Sequence, residues 1–334
     1  MNAHSTSPNS LHPAMPVVSG STAVYFIIGD PVEQVRAPET FNAVFARHGI
    51  DAVLVPIRIA PEHLLRFVQT AFLAPNVQGL WITIPHKIPL MALLADASPA
   101  AVAAGAVNAV RRNADGSLSG ALFDGQGFVA GLDYAGIAYA GQRVLVLGAG
   151  GAAAAIGTAL VSGPRPCAAL GFFDPVEGRA AALVAHMQRN AQATAESSAQ
   201  DNTQRASMTQ LRVAASNDPA GFDLVINATP LGLHEADPLP CDIARMDAHA
   251  AFADILMKNQ PTPAVRAALA RGLQAQPGFE MMVQQTHSYL AFFGHHAAAQ
   301  VVQSEYDSLR QQIYPASLLG VSTCSPVARR ARAA

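Results

Sequence analysis

Lysine is nearly absent from this chain, and one of its two copies directly follows an apolar segment. The lysines are Lys87 and Lys258, against nineteen arginines. Lys87 ends the segment L-W-I-T-I-P-H-K, which spans residues 80 to 87. An ammonium group can release its proton, whereas a guanidinium stays protonated in proteins. The composition therefore indicates proton transfer at Lys87, and it leaves open the alternative of a surface lysine at the start of a helix.

A glycine-rich turn is the second feature with the chemistry of a binding site. It follows the apolar run R-V-L-V-L and fits the pattern G-x-G-x-x-G/A with Gly148, Ala149, Gly150, Gly151, Ala152 and Ala153. Between a strand and a helix, such a turn lets backbone N–H groups approach a pyrophosphate that a Cβ would obstruct. We therefore predict a dinucleotide site here. A turn that serves only the packing of the helix is the alternative.

An acidic residue ends the strand that follows this turn. Asp174 lies twenty-four residues after Gly150, where a carboxylate would bind the hydroxyl groups of the adenosine ribose. It would also repel a 2′-phosphate, and the next two residues, Pro175 and Val176, carry no positive charge. We therefore predict NAD as the cofactor in preference to NADP. Arg179 is the nearby residue that could reverse this preference.

Short apolar runs alternate with helical segments along most of the chain, which is typical of parallel sheets covered by helices. The predicted strands cover 23–29, 52–59, 77–84, 143–148, 167–174, 222–229 and 251–256, and the predicted helices include 38–50, 280–293 and 297–312. The order of these elements predicts two α/β domains. The first is a mostly parallel-sheet substrate domain, the second is a Rossmann dinucleotide-binding domain, and the C-terminal helices return to the first.

The domain boundaries follow from the same alternation. We expect a disordered leader over 1–22 and a substrate domain over 23–123, which the C-terminal helices at 279–316 complete. A dinucleotide domain over 124–278 and a flexible tail over 317–334 make up the rest. A polar stretch rich in Gln, Ala, Ser and Asn covers about 187 to 210. We expect it to be an inserted flexible loop that lies away from the chemistry.

Composition and charge argue against several classes of protein. A net charge of −2 and 6% aromatic residues disfavour nucleic acid as a partner. No run approaches the roughly 18 apolar residues of a membrane-spanning helix, and the first twenty residues lack the features of a signal peptide. The three cysteines have no C-x-x-C spacing, so no metal site is expected. We expect a cytoplasmic protein with a small-molecule substrate, and a homodimer is left open.

Six segments, in this order, resemble the shikimate/quinate dehydrogenases. They are G-L-W-I-T-I-P-H-K (79–87), A-G-A-V-N-A-V (104–110), G-A-L-F-D-G-Q-G (120–127), N-A-T-P-L-G (227–232), D-I-L-M-K-N-Q-P-T-P (254–263) and G-F-E-M-M-V-Q-Q (278–285). The resemblance implies an oxidoreductase that transfers a hydride between NAD(P) and a ring secondary alcohol. In this family that reaction belongs to aromatic amino acid biosynthesis.

The resemblance also assigns roles to individual residues. Lys87 and Asp124 match the lysine and aspartate that flank the reacting hydroxyl, although an aspartate that caps a helix is the alternative for Asp124. Removing a hydride from an alcohol requires a base for the hydroxyl proton. Burial lowers the pKa of an amine, so that more of it is unprotonated and able to accept a proton near neutral pH. Thr83, Asn108 and Gln285 match side chains that hold the substrate.

On the cofactor side the resemblance implies contacts from Thr229, Met257, Gly278 and Met281. Met257 stands where the family has a tyrosine near the nicotinamide. Met281 and Gln285 are one helical turn apart and so face the same way. Such a helix presents one residue to the nicotinamide and the other to the substrate. Ordinary core packing is the alternative for Met281.

The chain departs from the family pattern in the predicted substrate pocket. The two serines of S-x-S-P, which hold the substrate carboxylate, are replaced within V-R-A-P, residues 35 to 38. An asparagine is replaced by Trp81, and the pair before the aspartate is Leu122 and Phe123. Either Arg36 takes the carboxylate, or the substrate is less polar and stacks on Trp81 and Phe123. The consistently apolar changes favour the second interpretation.

A catalytically inactive protein of the same fold, which binds a dinucleotide or metabolite for regulation, is the alternative function. The missing carboxylate contacts leave room for it. The presence of Lys87, Asp124, Asn108 and Gln285 favours the enzyme.

Overall fold

The computed structural model describes residues 18–197, 209–257 and 261–319. The strands are β1 Ala23–Gly29, β2 Ala52–Arg58, β3 Val77–Ile82, β4 Asp96–Ala97, β5 Ala109–Arg112, β6 Leu118–Ala121, β7 Arg143–Leu147, β8 Ala169–Phe173, β9 Gln210–Val213, β10 Leu224–Asn227, β11 Ala251–Asp254 and β12 Gln274–Gln276. The helices are α1 Ala37–Arg47, α2 Leu64–Ala71, α3 Pro99–Ala104, α4 Asp124–Ala135, α5 Gly151–Ser162, α6 Arg179–Ser197, α7 Pro263–Ala270, α8 Phe279–Phe292, α9 His296–Val302, α10 Tyr306–Ile313 and α11 Ala316–Leu319.

The first domain is built on a six-stranded sheet with the strand order β2-β1-β3-β5-β6-β4. β1 pairs in parallel with β2 and β3, while β5 runs antiparallel to both β3 and β6. Helix α1 packs on this sheet with a face that includes Phe41, Val44 and Phe45, all buried. The mostly parallel sheet predicted from the sequence is therefore confirmed, with antiparallel strands added at one side.

The second domain has an entirely parallel six-stranded sheet, with the order β12-β11-β10-β7-β8-β9. Counted from β7, this is the 3-2-1-4-5-6 order of dinucleotide-binding domains. The order in which strands are added to the sheet reverses between β7 and β10, so a crevice opens beyond their carboxyl ends. The glycine-rich turn that follows β7 lies at this crevice. The predicted Rossmann domain is confirmed.

Helix α4 joins the two domains because it packs against both α5 and α8. Two of its glycines let these helices come close. A Cβ on Gly125 would lie 2.1 Å from the Ala155 carbonyl oxygen, and one on Gly127 would lie 2.6 Å from the Met281 carbonyl oxygen. The helix α8 at its other side belongs to the C-terminal segment, which returns to the first domain as predicted.

Replacing Gly127 with alanine is expected to lower the free energy of unfolding by about 1–3 kcal/mol through overpacking. Alanine favours a helix over glycine by about 1 kcal/mol, but the added Cβ meets backbone atoms of α8 that have no alternative rotamer. Urea denaturation measures the difference. Gly20→Ala is the control, because a Cβ there has no neighbour within 4 Å. A Gly127→Ala protein as stable as the wild type would contradict this account of the α4–α8 contact.

Some predicted boundaries are wrong. Residues 187–197 continue α6 instead of forming a loop, because Ala, Gln, Glu, Met and Arg all favour helices. The remainder of the predicted insertion is described only from residue 209 onward. The predicted tail is helical up to Leu319, in α11. The predicted leader is ordered from residue 18 onward. Within it, the Thr22 hydroxyl donates a hydrogen bond to the Asp51 carboxylate over 2.7 Å. Residues 1–17 and 320–334 lie outside the described part.

No helix within the described ranges is long and apolar enough to cross a membrane.

Candidate active site

A cleft between the two domains contains most of the predicted site residues. It encloses about 1120 Å³, the solvent at its mouth included. The ends of β1 and β3, the start of α1, the glycine-rich turn, the loops after β10 and β11, and helix α8 form its walls. The predicted residues that line it are Arg36, Trp81, Thr83, Lys87, Asp124, Gly150, Gly151, Ala152, Thr229, Met257, Met281 and Gln285.

The two predicted catalytic side chains are hydrogen-bonded to each other in this cleft. Lys87 follows β3 and Asp124 is the first residue of α4, and the Lys87 Nζ donates to the Asp124 Oδ2. The side chains are 11% and 5% exposed, respectively. An amine and a carboxylate thus share a largely water-excluded position at the domain boundary. Such a pair is suited to moving a proton to or from a bound alcohol.

Asn108 fixes the carboxylate of this pair from the other side. Its Nδ2 donates to the Asp124 Oδ1 over 2.9 Å and contacts the Gln285 Oε1 at 3.4 Å. Its Oδ1 accepts a bond from the backbone N–H of Phe123 over 3.0 Å. The three predicted polar residues Asn108, Asp124 and Gln285 therefore come together, from the residue before β5, from α4 and from α8.

Tyr289 is a residue of this site that the sequence analysis missed. Its hydroxyl donates to the Asn108 carbonyl oxygen over 3.1 Å, and the ring lines the cleft. Burial, with a smaller contribution from the charge of Asp124, raises the pKa of Tyr289 well above its usual 10.0. It therefore acts as a neutral hydrogen-bond donor. Its position one turn after Gln285 on α8 was the available signal.

The glycine-rich turn meets the lysine directly. A Cβ on Gly151 would lie 3.0 Å from the Cβ of Lys87 and 3.3 Å from its Cδ, whereas a Cβ on Gly150 would find nothing within 4 Å. Because Gly151 has no side chain, the turn can lie close to the lysine. Beside Gly150 there is open space. Gly148 has a φ of +100° and packs against the Ala228 carbonyl oxygen, so it shapes the turn without lining the cleft.

Two buried polar residues that the sequence analysis missed hold the neighbouring loops. The Asn227 Oδ1 accepts from the backbone N–H and the hydroxyl of Thr229, over 3.1 and 2.6 Å. Asp254 accepts from Asn227, Thr262 and the N–H of Leu256, and burial raises its pKa to about 6 despite these bonds. Both residues end strands at the carboxyl edge of the sheet, which is the signal that could have identified them.

Gly278, which we predicted to contact the cofactor, lies outside the lining of the cleft. It precedes α8, and a Cβ there would lie 2.4 Å from backbone atoms of Ile255 and Leu256. Because Gly278 has no Cβ, the start of α8 can lie close to the loop after β11. Thr83 does line the cleft, and its methyl group packs on Gly29.

The expected stacking of a substrate on Trp81 and Phe123 is not supported by their positions. Trp81 is 2% exposed and belongs to an aromatic cluster in which it stacks on Tyr289 and on Phe293, with ring centroids 5.1 and 4.3 Å away. Phe123 packs edge-on against Tyr289 at 5.0 Å. Both rings pack against neighbouring protein rings. Trp81 reaches the wall of the cleft with only 2% of its surface exposed, and Phe123 does not line the cleft.

The comparisons with known proteins agree with this arrangement. Residues 27–110 match the family model of the shikimate dehydrogenase substrate binding domain. A protein of Rubrobacter xylanophilus named shikimate dehydrogenase (NADP(+)) is 34% identical over 81% of this chain and 90% of its own length. One of Acidiphilium cryptum with the same name is 36% identical, over 83% of this chain and 93% of its own.

The prediction of NAD as the preferred cofactor is contradicted, because both relatives are named for NADP(+). The surroundings of Asp174 give a physical reason. Its carboxylate accepts from the backbone N–H groups of Ala149 and Val176, each over 2.9 Å, and Arg179 Nη1 lies 3.7 Å away. The carboxylate is thus engaged by the protein, and a half-exposed guanidinium stands beside it. Arg179, the residue that we named as able to reverse the preference derived from Asp174, thus lies beside that carboxylate.

This chain is also similar in structure to a solved dehydrogenase. The shikimate 5-dehydrogenase of Thermus thermophilus, in complex with NADP(H) and shikimate, superposes with a TM-score of 0.69 at 23% identity and covers 87% of this chain and 100% of its own. This likeness supports the two-domain α/β fold. Together with the two relatives and the six ordered segments, it identifies this chain as a member of the shikimate dehydrogenase family of oxidoreductases.

Proposed function

We propose that this protein interconverts a ring secondary alcohol and the corresponding ketone with NADP(H), and that Lys87 is the proton-transfer group. The substrate is of the shikimate or quinate type or a less polar analogue. The observation that carries the proposal is the hydrogen-bonded Lys87–Asp124 pair beside Gly151 of the glycine-rich turn. An amine, a carboxylate and a turn for a dinucleotide phosphate share one cleft. Initial rates of NADP reduction with shikimate, quinate and uncharged cyclic alcohols test it, and absence of reduction with all of them would contradict it.

The turn fits a dinucleotide. A Cβ on Gly150 would extend into open space of the cleft, and the start of α5 directs backbone N–H groups to the same place. Gly150, Gly151 and Ala152 would hold the pyrophosphate, with Thr229, Met257 and Met281 along the cleft toward the catalytic pair. Gly148 and Ala149 would shape the turn behind them, since the Ala149 N–H is bonded to Asp174. NADP supplies, when bound, the nicotinamide that accepts or returns the hydride.

The side chains of the cleft hold the alcohol and move its proton. In the oxidation direction the Lys87 amine takes the hydroxyl proton, and the Asp124 carboxylate stabilises the ammonium that results. Asn108 keeps Asp124 in place, and it orients Gln285 toward the substrate. The buried position keeps bulk water away from the exchanged proton. In the reduction direction the ammonium returns the proton to the new alkoxide oxygen.

The alternative of a catalytically inactive binding protein has no support from the comparisons. The relatives are named as dehydrogenases. The four polar residues that the reaction needs are all present.

Replacing Arg179 with alanine is expected to raise the KM for NADP by about tenfold, the effect of roughly 1.4 kcal/mol that one charge-assisted phosphate contact contributes. Arg179 is 54% exposed and close to Asp174, so it can turn toward a 2′-phosphate. The KM for NAD should change less than twofold, since NAD lacks that phosphate. Arg189→Ala, further along α6, is the control. Equal losses with both cofactors would contradict a role in phosphate recognition.

A further inference from the structure

Arg36 is the cation of the cleft that the catalytic pair leaves unused. Among the lining residues, all of which fall in the described ranges, the cations are Arg36 and Lys87. Lys87 is bound to Asp124. Arg36 directly precedes α1 and lines the cleft together with its neighbours Val35 and Ala37. Its guanidinium is thus the group at this end of the cleft that can bind an anion.

This guanidinium is already paired with a carboxylate of the same chain. The Nε and Nη2 of Arg36 lie 2.9 and 2.5 Å from the Oε2 of Glu39, one helical turn later. The guanidinium carbon also lies 5.6 Å from the centre of the Phe279 ring, within the range of a cation–π contact. The side chains of the ion pair are 31% and 59% exposed. Exposed pairs of this kind contribute little free energy, so little is lost when Arg36 leaves Glu39 for another carboxylate.

Which carboxylate Arg36 binds in the presence of substrate depends on the relative strength of its ion pair with Glu39 and its ion pair with the substrate. Both of its donors converge on a single oxygen of Glu39. A carboxylate that enters the less hydrated cleft can accept two parallel bonds from the fork of the guanidinium, which is the stronger arrangement. Trp81 and Phe123 pack within the aromatic cluster, so they offer no free ring on which an uncharged substrate would stack. Arg36 is then the main determinant at this end of the cleft.

We propose that Arg36 exchanges Glu39 for the carboxylate of a ring substrate, and that Glu39 acts as an internal competitor which sets the affinity for that carboxylate. The proposal rests on the proposed dehydrogenase function and adds Glu39 as a specificity-determining residue. Glu39 weakens binding of carboxylate substrates by the strength of one exposed ion pair. It has no effect on an uncharged substrate.

The experiment compares shikimate with its methyl ester, which keeps the ring and removes the charge. Wild type, Arg36→Gln, Glu39→Gln and the double variant are assayed by NADP reduction. Binding is followed separately by the fluorescence of Trp81, the single tryptophan of the chain, which lines the cleft. Asp218→Asn is the control, since it breaks another exposed arginine–carboxylate pair, with Arg245 in the second domain.

Glu39→Gln is expected to lower the KM and the dissociation constant for shikimate by up to about fivefold, which corresponds to an exposed pair of about 1 kcal/mol. Arg36→Gln should reduce the preference for shikimate over the ester at least tenfold. Glu39→Gln should have no further effect in the Arg36→Gln background.

Two results would overturn the inference. One is an unchanged shikimate-to-ester ratio in Arg36→Gln. The other is an effect of Glu39→Gln that persists without Arg36. A protein that binds shikimate through Arg36 in the fluorescence measurement, but reduces NADP with none of shikimate, quinate and the uncharged cyclic alcohols, would instead overturn the proposed function and leave this inference standing.

Discussion

Lys87→Arg is expected to lower kcat by about a thousandfold, within the range of roughly 10²- to 10⁴-fold that positioned acid–base groups contribute. The substitution keeps a positive charge that can still bond to Asp124. It removes the ability to release a proton, because a guanidinium stays protonated. Lys87→Met, which removes the charge at a similar length, should lose at least as much activity. If the charge alone mattered, the arginine variant would be largely active.

Cofactor binding is the control for both variants. The stem of Lys87 packs against Gly151, so a bulkier group could also displace the glycine-rich turn. Titration with NADP, measured by calorimetry, separates the two effects. A dissociation constant within about threefold of the wild-type value places the loss in the proton-transfer step. An arginine variant that retains a tenth or more of the wild-type kcat would contradict the assignment of Lys87.

The catalytic pair could be predicted because both residues lie within segments whose order is fixed by the fold. Lys87 follows a central strand of the first sheet, and Asp124 begins the helix that joins the domains. Each position was readable from the local sequence. Their contact was expected from the resemblance to the dehydrogenases, since spacing along the chain says nothing about a distance across it.

The surroundings of the pair could not be predicted in the same way. Trp81 looked like a platform for a substrate because it lies six residues before Lys87. Its ring is instead covered by Tyr289 of α8 and by Phe293, which directly follows that helix, about two hundred residues later in the chain. Tertiary packing of this kind leaves no periodic trace near Trp81. Tyr289 did leave a signal, one turn after Gln285 on α8, but the resembling segment ends at residue 285 and does not include it.

Asp174 shows a second limit of local reasoning. Its position after β8 was predicted correctly, but the cofactor preference depends on what the carboxylate binds. Two backbone N–H groups and Arg179 engage it. An adenosine phosphate would therefore meet the combined charge of Asp174, the two N–H groups and Arg179, and not that of the carboxylate alone.

Arg310→Met is expected to lower the free energy of unfolding by about 3–5 kcal/mol, the effect of leaving a buried charge without its partner. Arg310 bonds to both oxygens of Glu280, with its Nε and Nη2 at 2.9 and 2.5 Å. Glu280 is 2% exposed, and it also accepts from the Tyr314 hydroxyl over 2.5 Å. Without Arg310, its carboxylate must either stay charged in the core or take up a proton. Urea denaturation measures the loss.

Arg266→Met provides the control, because Arg266 pairs with Glu235 at an exposed position and should contribute under about 1 kcal/mol. The double variant Glu280→Met, Arg310→Met should recover at least half of the loss, since apolar replacement of a whole buried pair is often nearly neutral. Equal stability of the Arg310→Met and Arg266→Met proteins would contradict the buried-charge argument. Glu280 directly precedes Met281, so a shift of α8 in Arg310→Met should also raise the KM for the substrate. That second effect would connect the C-terminal helices to the cleft through α8.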